Sequence, residues 1–503
     1  MDRGVLIYAP AICLALVACS GGGGSRPAAI LSTPGSAGSA PALTGTVAGL
    51  NNATQVNIRS SSCGGYTNVN FTPSTPIAYN GYTLSSSGAP ISVWGSGSCS
   101  SGFTATQISL GSSSQPPGGT GSGTGSTATI AQTHVLTADY LAGDEGTHSV
   151  SPSSAATVLS WAETSSVDAG AISAAGIKTL DYVDPFRQAT YSPLYSSDES
   201  TFSHTCSGKR IAIPYGSLTM WLMDPSSTDL RAKMNGWQSS EEDTGHIDAF
   251  YYDDIDTLGA VSAWPCDATQ SSWDAANASF ISSSSHPVVF SGYALSPDAS
   301  NIIGLSSVLG AAVEQCYTGT SEPTPPYRTG SMWIQRENLQ LAAAAHGKLY
   351  FCYNNGSEDA ASNVALRKYI YASFLMTYSA ESSVLWETFA TPSGLHVFPE
   401  TTLVPTEPRV AAPSSVSSLL SSTGVYVREY AACYLAGSSV GPCAAVVNSS
   451  PSSSYRMPAL STAYNATLEI SGYGSLDGGT VSTEGPAPPD TVAPETGLVL
   501  FKH

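Results

Sequence analysis

The sequence predicts an α/β protein built on a (β/α)8 TIM barrel, with a small N-terminal all-β domain before it and a C-terminal antiparallel β-sandwich-like domain after it. Three observations predict this organisation. Between residues 129 and 405, short apolar runs alternate with helical stretches, and two segments rich in Gly, Ser and Pro come before this region. From residue 406 onwards the helical periodicity is lost, and the remaining apolar runs are typical of antiparallel strands.

Eight apolar runs of strand length carry the barrel prediction. Segments with helical character, such as 228–237 and 337–346, lie between several of these runs. Strands that are separated by helices require parallel crossover connections, and eight such units match the usual size of a TIM barrel. We therefore expect residues 129–405 to form the barrel and residues 406–503 to form the C-terminal β domain. The eight runs are 133–141, 176–184, 218–225, 247–254, 287–294, 309–317, 348–354 and 383–390.

The first residues are typical of bacterial export. Residues 5–17 are apolar but too few to span a bilayer as a permanent anchor, which indicates a signal peptide. The run ends in LVAC at 16–19, which resembles a bacterial lipobox, so we expect residues 1–19 to be a lipoprotein signal with Cys19 lipidated. A plain secretory signal with a chance cysteine is the alternative. The lipobox hypothesis predicts an exported lipoprotein of the cell envelope, at the outer membrane or cell surface, whose only membrane contact is this lipid anchor.

Two flexible segments delimit a small β domain. Residues 20–42 form a tether and residues 111–128 form a linker, and both are rich in Gly, Ser and Pro. Between them, residues 43–110 hold short runs of Val, Ile, Thr and Tyr broken by Asn-Gly and Ser-Gly turns. Aromatic residues of this domain suit either sugar stacking or a hydrophobic core, and both interpretations stay open for Tyr66, Tyr79, Tyr82 and Trp94.

Eight cysteines remain once Cys13 and Cys19 are assigned to the signal segment. An even number in an exported protein indicates disulfides. The sequence contains no CxxC or HExxH spacing, so we expect no structural zinc, and no other metal or cofactor is predicted. Pairing each cysteine with its neighbour in sequence is the simplest connectivity, although the sequence leaves others open. It gives Cys63–Cys99, Cys206–Cys266, Cys316–Cys352 and Cys433–Cys443.

Charge is unevenly distributed along the chain. Three of the 18 basic and one of the 37 acidic residues precede residue 129, so the later part holds 15 basic and 36 acidic residues, a net charge of −21. This field would repel nucleic acid, whereas a neutral or cationic substrate would not be repelled. Acidity that only keeps an exported protein soluble is an equally good explanation. We expect a monomer that does not bind nucleic acid.

Carboxylates recur where the predicted strands end. Barrel enzymes build their sites from the C-terminal ends of the strands, so this recurrence indicates a site there in a chain with only 11% charged residues. Asp184 and Asp224 are each followed by Pro, and we interpret both as caps of the following turn. The residues at the strand ends are Asp139, Asp184, Asp224, Asp253, Asp254, Glu314, Tyr353, Asn354 and Glu387.

Asp253 and Glu314 differ from the other acids because they lie in apolar surroundings. Glu314 interrupts the run LGAAVEQCY, and Asp253 follows Phe-Tyr-Tyr on a strand that should be buried on both faces. Burying an ionised group costs roughly several kcal/mol, and a functional role would explain why the chain keeps an acid there. We therefore predict Asp253 as nucleophile or base and Glu314 as general acid. Residues expected to bind substrate are Asp139, Asp254, Tyr293, Tyr353 and Glu387.

Two carboxylic groups that face each other across a barrel mouth are what glycoside hydrolysis requires. One protonates the leaving oxygen, while the other attacks the anomeric carbon or activates water. This chemistry needs no cofactor, and aromatic side chains would stack on the sugar rings. The sequence therefore predicts a hydrolase of a polysaccharide or oligosaccharide. The aromatic candidates are Trp221, Trp333, Trp386, Tyr251, Tyr293 and Tyr353.

The stretch IDAFYYDDID at 247–256 also carries a family resemblance. It resembles the strand Asp-Gly-(Val/Ile)-Phe-(Leu/Phe)-Asp-(Asn/Asp) of exported bacterial glycoside hydrolase-like TIM-barrel lipoproteins, which are similar to endo-α-1,4-polygalactosaminidase and α-galactosidase-like barrels. The resemblance implies that Asp253 is a catalytic carboxylate on strand four and that Glu314, at the end of strand six, is its partner. Ala249 stands where the family has Gly. The likeness covers residues 130–503, roughly, and includes the LMDP at 222–225.

Three other functions were weighed against glycoside hydrolysis. A non-catalytic, surface-tethered carbohydrate-binding or scaffold lipoprotein would use the barrel as a platform. A divalent metal site would use Asp253, Asp254 and Asp256, but adjacent strand residues point to opposite faces. The G-x-S-x-G pattern of serine hydrolases occurs at 437–441, in a predicted hairpin instead of a strand-to-helix elbow, so we interpret it as a chance match.

Overall fold

The structure is a computed structural model that describes most of the chain in two compact units. Cys19, residues 20–40 of the predicted tether, the predicted linker, Tyr79, Tyr82, Asp256 and Tyr293 lie outside the described residues. In the described part, no helix has the length and apolar character needed to cross a membrane. The described residues are 41–52, 54–63, 65–72, 75, 77–78, 90–110, 133–141, 150–215, 218–255, 261, 263–292, 302–319, 327–355, 362–389 and 391–503.

The first unit is all-β, as predicted. Its described strands form a six-stranded sheet in the order β3-β2-β1-β5-β6-β4, in which β3 also pairs with β6. The Cys63–Cys99 disulfide joins the ends of this sheet, and Trp94 is buried while Tyr66 is exposed. Trp94 therefore belongs to the core and not to a binding surface. The strands are β1 Leu43–Asn52, β2 Gln55–Ser60, β3 Gly65–Asn70, β4 Ile77–Ala78, β5 Pro90–Ser98 and β6 Gly102–Leu110.

The second unit contains the barrel and the sheets that follow it. Its strands are β7 Leu136–Tyr140, β8 Trp161–Glu163, β9 Lys178–Val183, β10 Arg187–Gln188, β11 Ala212–Tyr215, β12 Leu218–Leu222, β13 Ala249–Tyr252, β14 Val288–Phe290, β15 Val308–Val313, β16 Leu349–Asn355, β17 Ser383–Thr388, β18 Leu403–Pro405, β19 Tyr426–Leu435, β20 Ser438–Asn448, β21 Tyr455–Arg456, β22 Ala466–Thr467, β23 Glu469–Ser471, β24 Thr480–Ser482, β25 Thr491–Val492 and β26 Thr496–Phe501. The described α-helices are α1 Pro152–Ala155, α2 Ser166–Ala174, α3 Thr228–Thr244, α4 Gln270–Ser282, α5 Gly330–Ala345 and α6 Val364–Met376.

Eight parallel strands close into a barrel within the described residues, in the order β7-β8-β9-β13-β14-β15-β16-β17. The last strand, β17, pairs with β7 through Val384 opposite Leu136, which closes the ring. The predicted TIM barrel is thus confirmed. Helices α3 and α5 begin near the predicted segments, and Ser227 caps α3 by accepting a hydrogen bond from the backbone of Leu230.

One predicted strand is wrong and one strand was missed. The run at 218–225 forms β12, which pairs antiparallel with β10 and β11 in a separate three-stranded sheet. The second barrel strand is instead β8, whose three residues are too short to give an apolar run. Because the two errors cancel in the count, β13 still falls fourth and β15 sixth. The disulfide Cys206–Cys266 links the three-stranded insertion to the segment after β13.

Side chains alternate between the barrel lumen and the helices outside. This follows from the two-residue period of a strand, and it fills the lumen with aromatic and aliphatic groups instead of leaving a pore. Trp386 lies at the centre of this lining, with ring centroids 4.8 Å from Tyr353, 5.4 Å from Tyr140 and 5.7 Å from Tyr251. The buried lumen residues are Ala138, Trp161, Leu180, Ala249, Tyr251, Val289, Ala312, Phe351, Tyr353, Val384 and Trp386.

A five-stranded sheet, in the order β18-β19-β20-β26-β22, follows the barrel in the described chain. It packs against helix α6: Tyr430 donates a hydrogen bond to the Leu375 carbonyl at 2.6 Å, and Arg428 donates to the Met376 carbonyl at 3.1 Å. The predicted limit at residue 405 falls at the end of β18, which already belongs to this sheet. The 437–441 segment lies in the β19–β20 hairpin, so it does not form the strand-to-helix elbow of a serine hydrolase.

Candidate active site

Asp253 follows β13 at the C-terminal end of the barrel. Tyr251, two residues earlier, lines the lumen, so the alternation of the strand directs Asp253 into the barrel mouth. Its carboxylate accepts hydrogen bonds from neighbours on both sides. The hydroxyl of Tyr182 donates to Oδ2 at 3.0 Å, and the hydroxyl of Ser291 donates to Oδ1 at 2.5 Å. The backbone N–H of Asp254 also donates to Oδ1, at 2.8 Å.

These donors treat the two oxygens of Asp253 differently. Oδ1 accepts two hydrogen bonds from rigid neighbours, while Oδ2 accepts one, from a tyrosine that is 42% exposed. The Nη2 atom of Arg187 lies 3.9 Å from Oδ2. The donors and the nearby cation orient the carboxylate. The arrangement therefore holds Oδ1 in place and leaves Oδ2 as the oxygen that can react.

Arg187 contacts three aspartates at this end of the barrel. Its Nε donates to Asp184, its Nη2 contacts Asp254, and the same Nη2 approaches Asp253. Asp254 has a φ of +46°, which places its carboxylate back toward the arginine. Asp254 therefore lies beside the mouth, but its described charge contact is with Arg187.

Asp184 caps the turn after β9, as predicted. Its Oδ1 accepts hydrogen bonds from the backbone N–H groups of Phe186 at 3.2 Å and Arg187 at 2.9 Å. Burial raises the pKa of Asp184 to about 7, with Arg187 opposing this rise and Asp253 adding to it. Asp224 also caps its turn, since it accepts from the backbone N–H of Ser226 at 2.8 Å.

Glu314 follows β15 directly and is half-buried at the same end of the barrel. Two buried phenols lie within its electrostatic reach. Burial raises the pKa of Tyr251 well above its ordinary value, and the charges of Asp253 and Glu314 raise it further. Burial likewise raises the pKa of Tyr353, and Glu314 adds to this rise. Glu314 comes two residues after the lumen side chain of Ala312, so strand alternation turns it toward the barrel mouth as well.

The turn that carries Glu314 is fastened to the next strand. A disulfide joins Cys316 to Cys352, and the Cys316 N–H donates to the Tyr353 carbonyl at 2.9 Å. The Tyr317 N–H donates to the side chain of Asn354 at 2.8 Å. Asn354 thus supports this turn and does not face the mouth. All four neighbour pairings predicted for the cysteines are present.

Removing the Cys316–Cys352 disulfide should destabilise the fold more than removing the hairpin disulfide Cys433–Cys443. The first closes a sequence separation of 36 residues and the second one of 10. Chain entropy then gives about 4 and about 3 kcal/mol, respectively, because the longer loop gains more freedom in the unfolded chain. Urea unfolding of the two double cysteine-to-alanine variants measures both free energies. A larger loss for the hairpin pair would contradict the expectation.

A third carboxylate, Glu163, lies at the end of β8. Glu163 was not predicted as a site residue, because the three residues of β8 are too few to show the pattern of a strand. An acid directly after Trp-Ala could have indicated it. Its charge helps to raise the pKa of Tyr140, after the larger effects of burial and of Tyr353. The hydroxyls of Tyr140 and Tyr353 lie 3.0 Å apart. Tyr353 thus lines the lumen at this end of the barrel, beside Tyr140.

Asp139 and Glu387 do not lie in the mouth, which corrects their prediction as substrate-binding residues. Each comes one residue after a lumen side chain, Ala138 and Trp386, so strand alternation turns it outward toward the surrounding layer. Asp139 is fully buried and accepts a hydrogen bond from the His396 N–H, with the His396 ring Nδ1 at 2.8 Å.

Glu387 belongs to a group of buried acids on the outer side of the barrel, away from the lumen. Burial raises its pKa well above the ordinary value, Glu400 adds to this rise, and Arg367 opposes it. Arg367 itself forms an ion pair with Glu400, with Nη2 and Oε2 2.6 Å apart. Sequence alone could not separate these acids from those of the mouth, because one residue of register decides the face.

Two further predictions concern metals and the start of strand four. Among the described residues, the group with metal-ligand spacing is Cys206, Cys266 and Asp267, and its two cysteines form a disulfide, so they offer no thiolate. Asp248 lies at the opposite end of the barrel from Asp253, where it pairs with Lys178 at 2.7 Å. It is a structural residue.

No family model and no curated protein matches the sequence. Solved structures have a similar fold. One is a variant of the glycoside hydrolase domain of PelA from Pseudomonas aeruginosa, with 12% identity, a TM-score of 0.36, and 51% of this chain and 95% of that chain covered. Another is Ega3 of Aspergillus fumigatus in complex with galactosamine, with 12% identity, a TM-score of 0.32, and 53% and 96% covered.

A third is the alpha-galactosidase TtGalA of Thermus thermophilus, in complex with p-nitrophenyl alpha-D-galactopyranoside. It has 10% identity and a TM-score of 0.36, with 53% of this chain and 60% of that chain covered.

Proposed function

We propose that the chain is a glycoside hydrolase that cleaves a polysaccharide or oligosaccharide with Asp253 as nucleophile or base and Glu314 as general acid. The observation that carries the proposal is that Asp253 and Glu314 follow strands β13 and β15 at the same end of one closed parallel barrel. Each comes two residues after a lumen side chain, Tyr251 and Ala312, so strand alternation turns both acids toward the barrel mouth. Glycoside hydrolysis requires this arrangement of two carboxylic groups.

Asp253 suits the nucleophile because its carboxylate is held in one orientation. Two donors fasten Oδ1, so the carboxylate cannot turn when the substrate arrives. Oδ2 would attack the anomeric carbon directly in a retaining reaction, or accept a proton from an attacking water in an inverting one. In the free protein the Tyr182 hydroxyl contacts Oδ2, and a sugar hydroxyl could take over this hydrogen bond.

Glu314 suits the acid because it lies among aromatic groups and within reach of other carboxylates. Such surroundings are those in which glycosidases keep a carboxylic acid protonated near neutral pH. Its proton would pass to the glycosidic oxygen as the bond to the anomeric carbon breaks. The positive charge that develops on the sugar would face the ionised Asp253, which stabilises it.

We further propose that the protein is exported and anchored to the cell envelope through a lipid on Cys19. The four disulfides support this location, because disulfides persist in oxidising compartments. Mass spectrometry of the membrane fraction would detect the lipid on the N-terminal peptide of the mature chain. A cytosolic protein with an intact N-terminus would contradict the proposal.

A screen of polysaccharides with the purified full chain tests the proposed activity. We expect new reducing ends from at least one glycan with the wild type and none with the double variant Asp253→Asn/Glu314→Gln. Proton NMR of the first product gives the anomer and thus separates retention from inversion. Glycan binding without release of sugar, by both proteins alike, would overturn the proposal in favour of a carbohydrate-binding or scaffold lipoprotein.

A further inference from the structure

The guanidinium of Arg187 joins the ends of two neighbouring barrel strands. Asp184 ends β9, Asp253 and Asp254 follow β13, and Arg187 itself opens the three-stranded insertion as the first residue of β10. The sequence does not predict the contact between Arg187 and Asp253, because the two residues are 66 positions apart. The side chain of Arg187 is 15% exposed, so water screens these contacts only in part.

The contacts divide the guanidinium between two tasks. Its Nε is held by Asp184, which is itself fastened by the turn it caps. Its Nη2 then points at Asp254 and at Oδ2 of Asp253. A planar, forked cation held at one end cannot swing freely, so the position of the other end is set. Asp184 therefore determines where the positive charge lies relative to the reacting oxygen.

Other ionisable groups of the described chain also face this network. Tyr182 acts on Arg187 from strand β9 and donates to Asp253. Tyr251 faces Asp253 from the lumen, and it also senses Glu314 and Glu163. The carboxylates of Asp184 and Asp254, which share the guanidinium of Arg187, disfavour a further ionised carboxylate nearby. Loss of the Arg187 charge would leave Asp253 among acids.

We propose that Arg187 is a positioning residue of the reaction, which orients Asp253 and places a positive charge beside it, and that Asp184 holds Arg187 in place for this role. The inference rests on the proposed hydrolase function and extends it to two residues that do not touch the substrate. Arg187 can affect Asp253 in two ways. Any cation at this position would supply the charge, whereas orienting the carboxylate needs the forked guanidinium.

The test compares Arg187→Met, Arg187→Lys and Asp184→Asn in the full chain. For Arg187→Met we expect the acidic limb of the kcat/KM profile to move up by about 1 pH unit or more, because a cation beside a carboxylate lowers its pKa by 1–3 units, roughly. Arg187→Lys should restore the limb but keep a lower kcat, since lysine lacks the fork. Asp184→Asn should lower kcat without moving the acidic limb of the kcat/KM profile to higher pH. Burial raises the pKa of Asp184 to about 7, so its carboxyl carries little charge at acidic pH and the substitution removes little charge there.

A matched control removes a cation from an ion pair at the other end of the barrel. Lys178→Met breaks the contact with Asp248 and should leave the limb where it is in the wild type. An Arg187→Met limb that does not move, or a kcat/KM within twofold of the wild type, would overturn the proposal. A purely structural role predicts lost stability in all the Arg187 and Asp184 variants and no limb shift. If Arg187→Met does not fold, the kcat of Arg187→Lys still decides the orientation effect.

A second readout does not depend on turnover. Carbon-13 labelling of the aspartate side chains lets NMR follow each carboxyl through a pH titration, with Asp253→Asn assigning the signal of Asp253. In Arg187→Met this signal should titrate at higher pH than in the wild type. If no glycan is cleaved, the proposed function fails while the titration still tests the network. Cleavage together with an unchanged Asp253 titration overturns the network alone.

Discussion

Asp253→Asn should abolish hydrolysis, with a fall in kcat of about 10⁴-fold or more, because the amide cannot attack the anomeric carbon or accept a proton from water. The fold should survive the change. Asparagine has nearly the same shape, and its oxygen can still accept the hydrogen bonds from Ser291 and the Asp254 backbone. Unfolding curves of the variant and the wild type check this point before any rate is compared.

Added azide tells the two roles of Asp253 apart. If Asp253 is a nucleophile, azide enters the space left by the side chain in Asp253→Gly and restores cleavage of an activated substrate. The glycosyl azide should then have the anomeric configuration opposite to that of the product released by the wild type, which retains configuration. Asp248→Asn is the matched control, because Asp248 lies on the same strand at the far end of the barrel. It should keep wild-type rates. A variant Asp253→Asn that retains more than a tenth of the wild-type rate would contradict the assignment.

Glu314→Gln should slow hydrolysis by about 10²–10⁴-fold on natural glycans, since glutamine cannot donate a proton to the leaving oxygen. The loss should shrink for aryl glycosides whose leaving group needs no proton, such as dinitrophenyl glycosides. The measurement is therefore kcat/KM across a series of leaving groups. A steep dependence in the variant and a flat one in the wild type are expected.

Glu381→Gln is the control for that series, because Glu381 is exposed and lies just before β17, at the N-terminal end of that strand. Its rates should match the wild type for every leaving group. An equal loss on all substrates in Glu314→Gln would mean that Glu314 does not protonate the leaving group. The proton donor would then be sought at Glu163, which faces the same lumen.

The barrel was predictable because its rhythm of apolar runs and helices persists over most of the chain. Strand β8 was not, since three residues between polar neighbours carry no period. The run at 218–222 was wrongly predicted as a barrel strand, and the reason is physical. A strand of an antiparallel insertion has the same β-branched and aromatic composition as a barrel strand, and only its pairing partners differ.

The candidate site was predictable only where a single residue contradicts its own surroundings. Asp253 and Glu314 stand out as acids in apolar runs, and both lie at the barrel mouth. Arg187, Tyr182 and Ser291 do not stand out in the sequence, because their place in the site depends on their contacts with Asp253, which follows another strand. Asp139 and Glu387 were assigned to the wrong face, since strand ends were predicted without the register that decides between lumen and exterior.

Helix α6 has consequences for any attempt to isolate the catalytic part. Ten of its thirteen residues are buried, because the barrel covers one side and the sheet of β19, β20 and β26 covers the other. Gly497 of β26 approaches so closely that a Cβ atom there would lie 2.6 Å from the Tyr369 Cα. A protease or a stop codon that removed the last hundred residues, roughly, would expose an apolar helix face to water. The smallest autonomous unit of this chain that contains the barrel therefore runs from β7 through β26.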